Sequence, residues 1–281
     1  MATFCVLALS ARRLKAFKAG MAWFGRLPGN LAVSSQFAAT VFASVSGSSP
    51  ATAAAVGYFA VPERVKHGYK KSFAVGAVAA GGTLGILLPP SIAMIIFGLV
   101  TETSIGALFM AGILPGIMIA ALLIIFVSLA ALIKPELAPR IDRTFTFKEK
   151  IKSLAGLWPI ALLLLLVIGT IYTGIATPSE AAAVGAIGAL VIALLQRTLS
   201  FRKLYDALRS GAETTAMIML LVIGGFGLSF LFARLGIARG IGQWITDASL
   251  APWAVLLFMI IVLLLLGTVL DPMSLIVITM P

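Results

Sequence analysis

The stretch from Ser44 to Ser91 holds two polar breaks in an otherwise apolar chain. The first is Ser46-Gly47-Ser48-Ser49-Pro50, and the second runs from a Gly-Gly pair at Gly81 to Pro89-Pro90-Ser91. In hydrocarbon every backbone N–H and C=O needs a partner, so unwound backbone at membrane depth must face protein or a water-filled cavity. Transporters place such breaks near the bilayer midplane, where substrate and coupling ion bind. The two breaks are therefore a candidate binding site.

The composition excludes an ordinary soluble domain. Of 281 residues, 60% are hydrophobic and only 11% are charged, whereas soluble domains are about 45–50% apolar and about 25% charged. The long apolar runs lack strand alternation, so the sequence predicts an all-α polytopic membrane protein with discontinuous helices and re-entrant hairpins. The net charge of +11 indicates basic loops rather than nucleic-acid binding, and the single cysteine, Cys5, excludes a disulfide framework.

The apolar runs predict an order of elements along the chain. It begins with an amphipathic helix on a membrane surface and ends with a last apolar segment that starts at residue 252. The predicted segments are a surface helix at 11–26, a hairpin at 29–60, a broken span at 73–100, spans at 107–133, 156–176, 181–196 and 211–232, and a connector at 233–250.

The basic residues predict the orientation. Segments 11–26, 61–72, 134–155 and 197–210 hold 19 of the chain's 21 lysines and arginines. All four lie on one side only if segment 29–60 enters and leaves by the same membrane face. The distribution therefore favours a re-entrant hairpin, and it predicts that the basic loops 61–72, 134–155 and 197–210 are cytoplasmic.

The chain also shows a weak internal symmetry. A connector precedes a broken apolar segment at 11–60 and again at 233–281, on opposite faces by the charge distribution, as in an inverted repeat. We therefore expect a first half at 1–155 and a second half at 156–281. Neither end has the polar flank of a complete span, so we expect a fragment that is truncated within a second hairpin.

Four sites combine an oxygen-bearing side chain with a proline, a pairing typical of helix starts. Three of them, Ser49-Pro50, Pro90-Ser91 and Asp271-Pro272, lie within apolar segments, whereas the fourth forms a turn between two spans. That fourth site, Thr177-Pro178-Ser179-Glu180, matches a capping box.

The first break has two interpretations. Its serines could satisfy the carbonyls freed at a helix kink, or the break could be a hairpin tip whose oxygens hold a hard cation such as Na⁺. In the second break the glycines allow carbonyls to turn inward, and Pro89-Pro90 starts a new half-helix. Together the two breaks would offer an oxygen cage and two positive helix ends suited to a carboxylate.

Asp271 follows a long apolar run. A charged side chain at membrane depth costs about 2.5–3.5 kcal/mol on insertion scales, which makes it a functional candidate; it could also cap a helix at a hairpin tip. No motif typical of hydrolases or of phosphate-binding enzymes is present. We therefore expect no enzyme and no cofactor beyond a coupling Na⁺.

Five stretches in order resemble the large membrane subunit, DctM type, of TRAP transporters, the tripartite ATP-independent periplasmic systems. Coverage begins near residue 5, and the most specific stretch is Pro89-Pro90-Ser91. The stretches are residues 46–52, 82–92, 106–116, 177–183 and 267–271.

The resemblance implies a secondary transporter of the bacterial inner membrane that takes up an organic carboxylate, such as a C4-dicarboxylate or a sialic acid, with Na⁺. A periplasmic binding protein would deliver the substrate, and a small four-helix membrane subunit would accompany this chain. The implied cation and substrate residues are Ser46, Gly47, Ser48, Ser49, Thr52, Thr83, Gly85, Pro89, Pro90, Ser91, Gly267 and Asp271.

Within that resemblance, Na⁺ would bind backbone and hydroxyl oxygens near Ser48, Ser49 and Gly85. Three alternatives stay open from the residues alone. They are a single-polypeptide Na⁺/anion symporter of related architecture, a non-transporting truncated subunit, and a channel.

Overall fold

The computed structural model describes residues 13–139, 145–197, 199–236, 239–240, 242–243, 247 and 251–280. Within these ranges the regular structure is helical. The helices are α1 (Arg13–Phe24), α2 (Asn30–Ser46), α3 (Ser49–Lys66), α4 (Lys71–Gly82), α5 (Leu84–Leu87), α6 (Ile92–Val100), α7 (Ile105–Ile133), α8 (Phe147–Ala155), α9 (Trp158–Tyr172), α10 (Pro178–Leu195), α11 (Phe201–Arg234), α12 (Pro252–Gly267) and α13 (Pro272–Thr279), with a 3₁₀ turn at Pro135–Leu137. The all-α polytopic fold predicted from the sequence is confirmed.

Three described helices, α7, α10 and α11, are long and apolar enough to cross a membrane. The count rises to five if each of two bent pairs forms one span. The segment Lys71–Leu87 meets α6 at 42°, and α8 meets α9 at 49°. The first bend is the break predicted at Pro89-Pro90. The sequence also predicts an interruption at the Gly81-Gly82 pair. Thr83 instead keeps right-handed helical backbone between α4 and α5, so the chain is not unwound there.

The described residues fall into two compact units. The first comprises Met1–Met94 with Ser104–Gly211, and the second comprises Ile95–Thr103 with Ala212–Pro281. The division expected at residue 155 concerns repeat halves and stays a prediction.

Helix α2 lies at the centre of the first unit. It packs against α1, α3, α4, α5, α7 and α9, and its small side chains, such as Ala32 and Ala38, are buried. Two of its polar side chains donate to backbone carbonyls: the Ser34 hydroxyl donates to Asn30 O at 2.6 Å within α2, and Gln36 Nε2 donates to Ala77 O of α4 at 2.6 Å. Gln36 Oε1 is buried without a partner. The helix is suited to burial among other helices, since small residues allow close approach.

Helix α1 is present where a surface helix is expected, but it is largely packed against protein. Phe17, Ala19 and Met21 are buried in the core of the first unit, and the Phe17 ring meets Phe59 of α3 edge to face. The apolar side of this helix therefore covers α2 and α3.

The basic loops are shorter than predicted. Segment 61–72 is mostly helical because α3 continues to Lys66 and α4 begins at Lys71; segment 197–210 is helical from Phe201, and α8 occupies the end of segment 134–155. Lysine and arginine are good helix formers, so a basic segment beside a span can simply extend it. Half of the connector expected at 233–250 lies outside the described residues.

Within the second unit, α12 and α13 contact each other, and the turn from Thr268 to Asp271 separates them. A second re-entrant hairpin at this position stays a prediction.

Candidate functional site

The tip of the α2–α3 hairpin is a tight turn at Gly47. Gly47 has φ = 60°, and its N–H bonds back to Ala43 O. This left-handed conformation favours glycine, because a Cβ there is strained. The turn reverses the chain within two residues, so that α3 begins at Ser49.

The hairpin tip contacts the helix break directly. The N–H of Ile92, the first residue of α6, donates to Gly47 O at 3.1 Å, so the tip satisfies one of the free N–H groups at that helix start. A Cβ on Gly47 would lie 2.6 Å from Pro90 O. The Pro89-Pro90 peptide bond is cis. The two breaks identified in the sequence therefore meet in the fold.

Gly85 contacts the same tip on another side. A Cβ built on it would lie 2.5 Å from Ser48 O, 2.6 Å from the Ser48 carbonyl carbon and 2.8 Å from Ser49 N. Backbone therefore packs on backbone, and only glycine fits without displacement. Gly85 thus belongs at the tip through its lack of a side chain.

The tip concentrates oxygen atoms. Ser46 Oγ lies 2.7 Å from Thr52 Oγ1, and Thr52 Oγ1 donates to Ser48 O at 2.8 Å. The Thr52 N–H donates to the same carbonyl at 3.1 Å. The side chains of Ser46 and Thr52 are fully buried, which makes this a protected cluster of two hydroxyls and a carbonyl.

Ser91 adds a further buried hydroxyl. Its side chain is 0% exposed, and Oγ has no hydrogen-bond partner. A buried hydroxyl without a partner costs roughly 1–3 kcal/mol. Because Ser91 immediately precedes the N–H group bonded to Gly47, it is a candidate ligand for an ion or substrate held at the tip.

The capping predictions divide evenly. Thr177 and Glu180 form the predicted capping box, with Thr177 N donating to Glu180 Oε2 at 2.7 Å, and Asp271 Oδ2 accepts from Met273 N at 3.0 Å. By contrast, Ser48 makes no side-chain cap to α3, and Ser91 Oγ has no partner. Ser49-Pro50 and Pro90-Ser91 do mark helix starts, since α3 begins at Ser49 and α6 begins at Ile92. No side-chain cap forms at Ser48 or Ser91, however, because Ser46 and Thr52 bond to each other and Ser91 Oγ has no partner.

Three other predicted site residues make no hydrogen bond that the structure shows to this cluster. Thr83 is exposed, and its hydroxyl donates to Ala80 O at 2.7 Å within its own helix. Gly267 and Asp271 are exposed residues of the second unit, at the end of α12 and the start of α13.

A cation at the tip would depend on neutral oxygens. Among the described residues, no group of three or more His, Cys, Asp and Glu could hold a metal ion. The tip offers serine and threonine hydroxyls and backbone carbonyls, ligands that suit hard cations. The donor set therefore fits Na⁺ better than a transition metal.

One buried residue was missed by the sequence reasoning. Arg64 is fully buried, and it donates from Nη1 to Ala74 O at 2.7 Å and from Nη2 to Ala32 O at 3.2 Å. Burial lowers the pKa of this guanidinium to about 10, because desolvation disfavours the charged form. The side chain ties the end of α3 to α2 and α4. The sequence places it in the basic loop 61–72, and only its position near the end of an apolar helix hints at burial.

Comparison with known proteins gives one family. Residues 10–281 match the family described as "Tripartite ATP-independent periplasmic transporter, DctM component". The chain is 37% identical over 273 residues to the C4-dicarboxylate TRAP transporter large permease protein DctM of Pseudomonas aeruginosa, covering 96% of this chain and 62% of that protein.

Two further relatives are named for other solutes. The chain is 34% identical to the ectoine/5-hydroxyectoine large permease protein UehC of Ruegeria pomeroyi, covering 93% of this chain and 60% of the relative. It is 30% identical to the sialic acid large permease protein SiaM of Vibrio cholerae, covering 92% and 60%. The chain thus spans about three fifths of the length of these relatives. From the family match and these identities, the chain belongs to the DctM family of tripartite ATP-independent periplasmic transporters.

Proposed function

We propose that this chain acts as a large permease subunit for Na⁺-coupled uptake of an organic carboxylate. The observation that carries the proposal is the contact between the hairpin tip at Gly47 and the start of α6 at Ile92. Backbone oxygens, buried hydroxyls and two helix starts converge there. This combination offers ligands to a cation and partial positive charge to an anion.

Na⁺ would be held by the hairpin tip. The oxygens available are those of Ser46, Ser48 and Thr52. The Ser91 hydroxyl, which has no hydrogen-bond partner, belongs to the residue before the N–H that bonds to Gly47. A bound monovalent cation would be a partner for that hydroxyl and for the other buried oxygens, which no longer contact water. The Na⁺ gradient would drive uptake, and the protein would contribute the buried neutral oxygen ligands.

An organic acid would be bound near the same helix starts. Helix N-termini attract carboxylates through free N–H groups and the helix dipole. Two of the relatives are named for a C4-dicarboxylate and for sialic acid, which supports an acidic substrate.

The proposed assembly has three parts and lies in the bacterial inner membrane. A small four-helix membrane subunit would accompany the chain, and a periplasmic binding protein would deliver the acid, as the family description "tripartite" suggests. The basic loops would face the cytoplasm. A single-polypeptide symporter differs in requiring no binding protein, so binding-protein dependence separates the two functions.

Uptake by the reconstituted protein tests the proposal. With the small subunit and the binding protein present, proteoliposomes should accumulate a labelled C4-dicarboxylate or sialic acid only under an inward Na⁺ gradient. Thr52→Val and Ser91→Ala should each raise the Na⁺ concentration needed for half-maximal uptake several-fold, because each removes one proposed oxygen ligand.

Thr83→Val is the matched control, since the Thr83 hydroxyl is exposed and bonded within its own helix. Unchanged Na⁺ dependence in Thr52→Val and Ser91→Ala would refute the tip assignment. Uptake without a binding protein would favour the single-polypeptide symporter.

A further inference from the structure

Helix α8 is a short amphipathic helix that precedes an apolar one. It starts with a capping box, in which Thr146 N donates to Glu149 Oε2 at 2.8 Å. After Ala155 the chain bends by 49° into α9, a helix of 15 residues that carries no charged side chain. The cap fixes where α8 begins, and the bend sets it at an angle to the helix that follows.

The apolar side chains of α8 form an exposed stripe. Phe147, Ile151 and Leu154 occupy positions i, i+4 and i+7 of one helix face, and they are 71%, 53% and 41% exposed. Trp158, the first residue of α9 after the bend, is a fourth large apolar side chain and is 46% exposed. Large apolar side chains exposed together in water are unfavourable, so the stripe needs a cover.

The opposite face of α8 lies toward α1, although Glu149 on that face is exposed. Glu149 and Ser153 line a cavity of about 390 Å³ together with Phe17 and Phe59. The indole Nε1 of Trp23 donates to Lys150 O at 3.3 Å, and the Lys150 ammonium lies 6.0 Å from the centroid of the Trp23 ring. These contacts hold α8 so that its stripe points away from α1.

Lysines flank the stripe. At about 100° per residue, Lys148 lies on one side of it and Lys150 on the other, and Lys152 lies beyond Lys148 toward the opposite face. Lys148 and Lys152 are exposed. The one acidic residue of the helix, Glu149, lies on the opposite face and bonds to Thr146. Apolar side chains between flanking lysines are typical of a helix that lies in the headgroup layer and binds anionic lipid.

We propose that α8 lies in the headgroup layer, with Phe147, Ile151, Leu154 and Trp158 in the acyl region and Lys148 and Lys152 bound to phosphates of anionic phospholipid. Charge complementarity identifies this occupant, since the edges of the stripe are basic. The helix would anchor the start of α9 at a fixed depth, independently of ion or substrate binding at the hairpin tip.

Lipid quenching tests the depth of the stripe. In a Cys5→Ser background, a fluorophore would be attached to Ile151→Cys or to Ser153→Cys, which faces the cavity. The protein is reconstituted in phosphatidylcholine nanodiscs with and without brominated acyl chains. We expect at least twofold stronger quenching at position 151 than at 153. Equal quenching, or none at 151, would overturn the proposal and indicate a water-exposed or protein-covered stripe.

Spin-labelled lipids test the choice of headgroup. The protein should bind spin-labelled phosphatidylglycerol more tightly than phosphatidylcholine, and Lys148→Gln with Lys152→Gln should reduce that preference at least twofold. Lys66→Gln with Lys70→Gln is the control, because these two lysines are exposed but lie outside α8. Equal preferences in the two double variants would overturn the anionic-lipid assignment.

Discussion

Single glycines determine how closely the two breaks approach. Gly47 provides the left-handed turn of the hairpin tip, and Gly85 lets the Ser48–Ser49 backbone lie against α5. At both positions the missing side chain leaves room for another segment's backbone rather than for a ligand. Backbone contacts therefore bring the two breaks together, and the hydroxyls of Ser46 and Thr52 lie at the tip that these contacts form.

Replacing Gly85 tests this contact. Gly85→Ala places a Cβ against the Ser48 carbonyl, and because backbone cannot move aside cheaply, we expect a loss of about 1–3 kcal/mol in the free energy of unfolding. Na⁺-dependent uptake should also fall. Gly76→Ala is the matched control, since nothing lies within 4 Å of its Cβ. Thermal unfolding in detergent measures the stability of the two variants. Equal stability of Gly85→Ala and Gly76→Ala would contradict the contact.

The residue types of the site were predictable, but their bonding was not. Glycine and proline mark where a helix must break, and the sequence identified both breaks from them. Whether a serine caps a helix depends on where its hydroxyl finds a partner in three dimensions. Ser46 has Thr52 as its partner at 2.7 Å, whereas Ser91 has none, and both residues looked alike in the sequence.

At the scale of helices, Arg64 fixes the base of the hairpin. Its guanidinium bonds the carbonyls of Ala74 on α4 and Ala32 on α2 from the last turn of α3. The planar fork of arginine can serve two carbonyls at once, whereas the compact ammonium of lysine is a point donor. One buried cation therefore holds three helices together at the end of the hairpin away from its tip.

Arg64→Lys should destabilise the protein although it keeps the charge. One carbonyl would lose its partner, which costs roughly 1–3 kcal/mol when the group is buried. Lys66→Arg, on the exposed side of the same helix, should change the free energy of unfolding by less than about 0.5 kcal/mol. Thermal unfolding of both variants checks this, and a stable Arg64→Lys variant would show that the second carbonyl contact is dispensable.

Long apolar helices and the amphipathic α1 were predictable, whereas the short amphipathic α8 was not. Spans such as α7 and α10 follow from uninterrupted apolar runs, since only helices satisfy their backbone in lipid. The composition of segment 134–155 predicts a basic loop, but Phe147–Ala155 is helical. The spacing of Phe147, Ile151 and Leu154 and the Thr146/Glu149 box were readable signals of an amphipathic helix. The contact of the tip with the break joins residues more than 40 positions apart, and no local pattern encodes it.

For the whole molecule, the charge distribution predicts one orientation for all basic segments. Cysteines placed in a Cys5→Ser background at Lys70, Lys134 and Arg197 should react only with reagent on the cytoplasmic side. A cysteine at Glu102, between α6 and α7, should react only from the opposite side. Labelling of intact cells with a membrane-impermeant maleimide measures this. Labelling of Lys70→Cys from outside the cell would contradict the re-entrant hairpin, because that interpretation requires segments 11–26 and 61–72 to share a face.

Na⁺-dependent stabilisation of the purified protein tests the central claim most directly. A ligand at 100 times its dissociation constant stabilises the folded state by about 2.7 kcal/mol. We predict that the melting temperature is higher in Na⁺ than in K⁺ at equal ionic strength, and that Ser46→Ala with Thr52→Val abolishes most of this difference whatever its own stability. An equal Na⁺ increment in the wild type and this double variant, or no difference between Na⁺ and K⁺ in the wild type, would contradict a cation site at the hairpin tip.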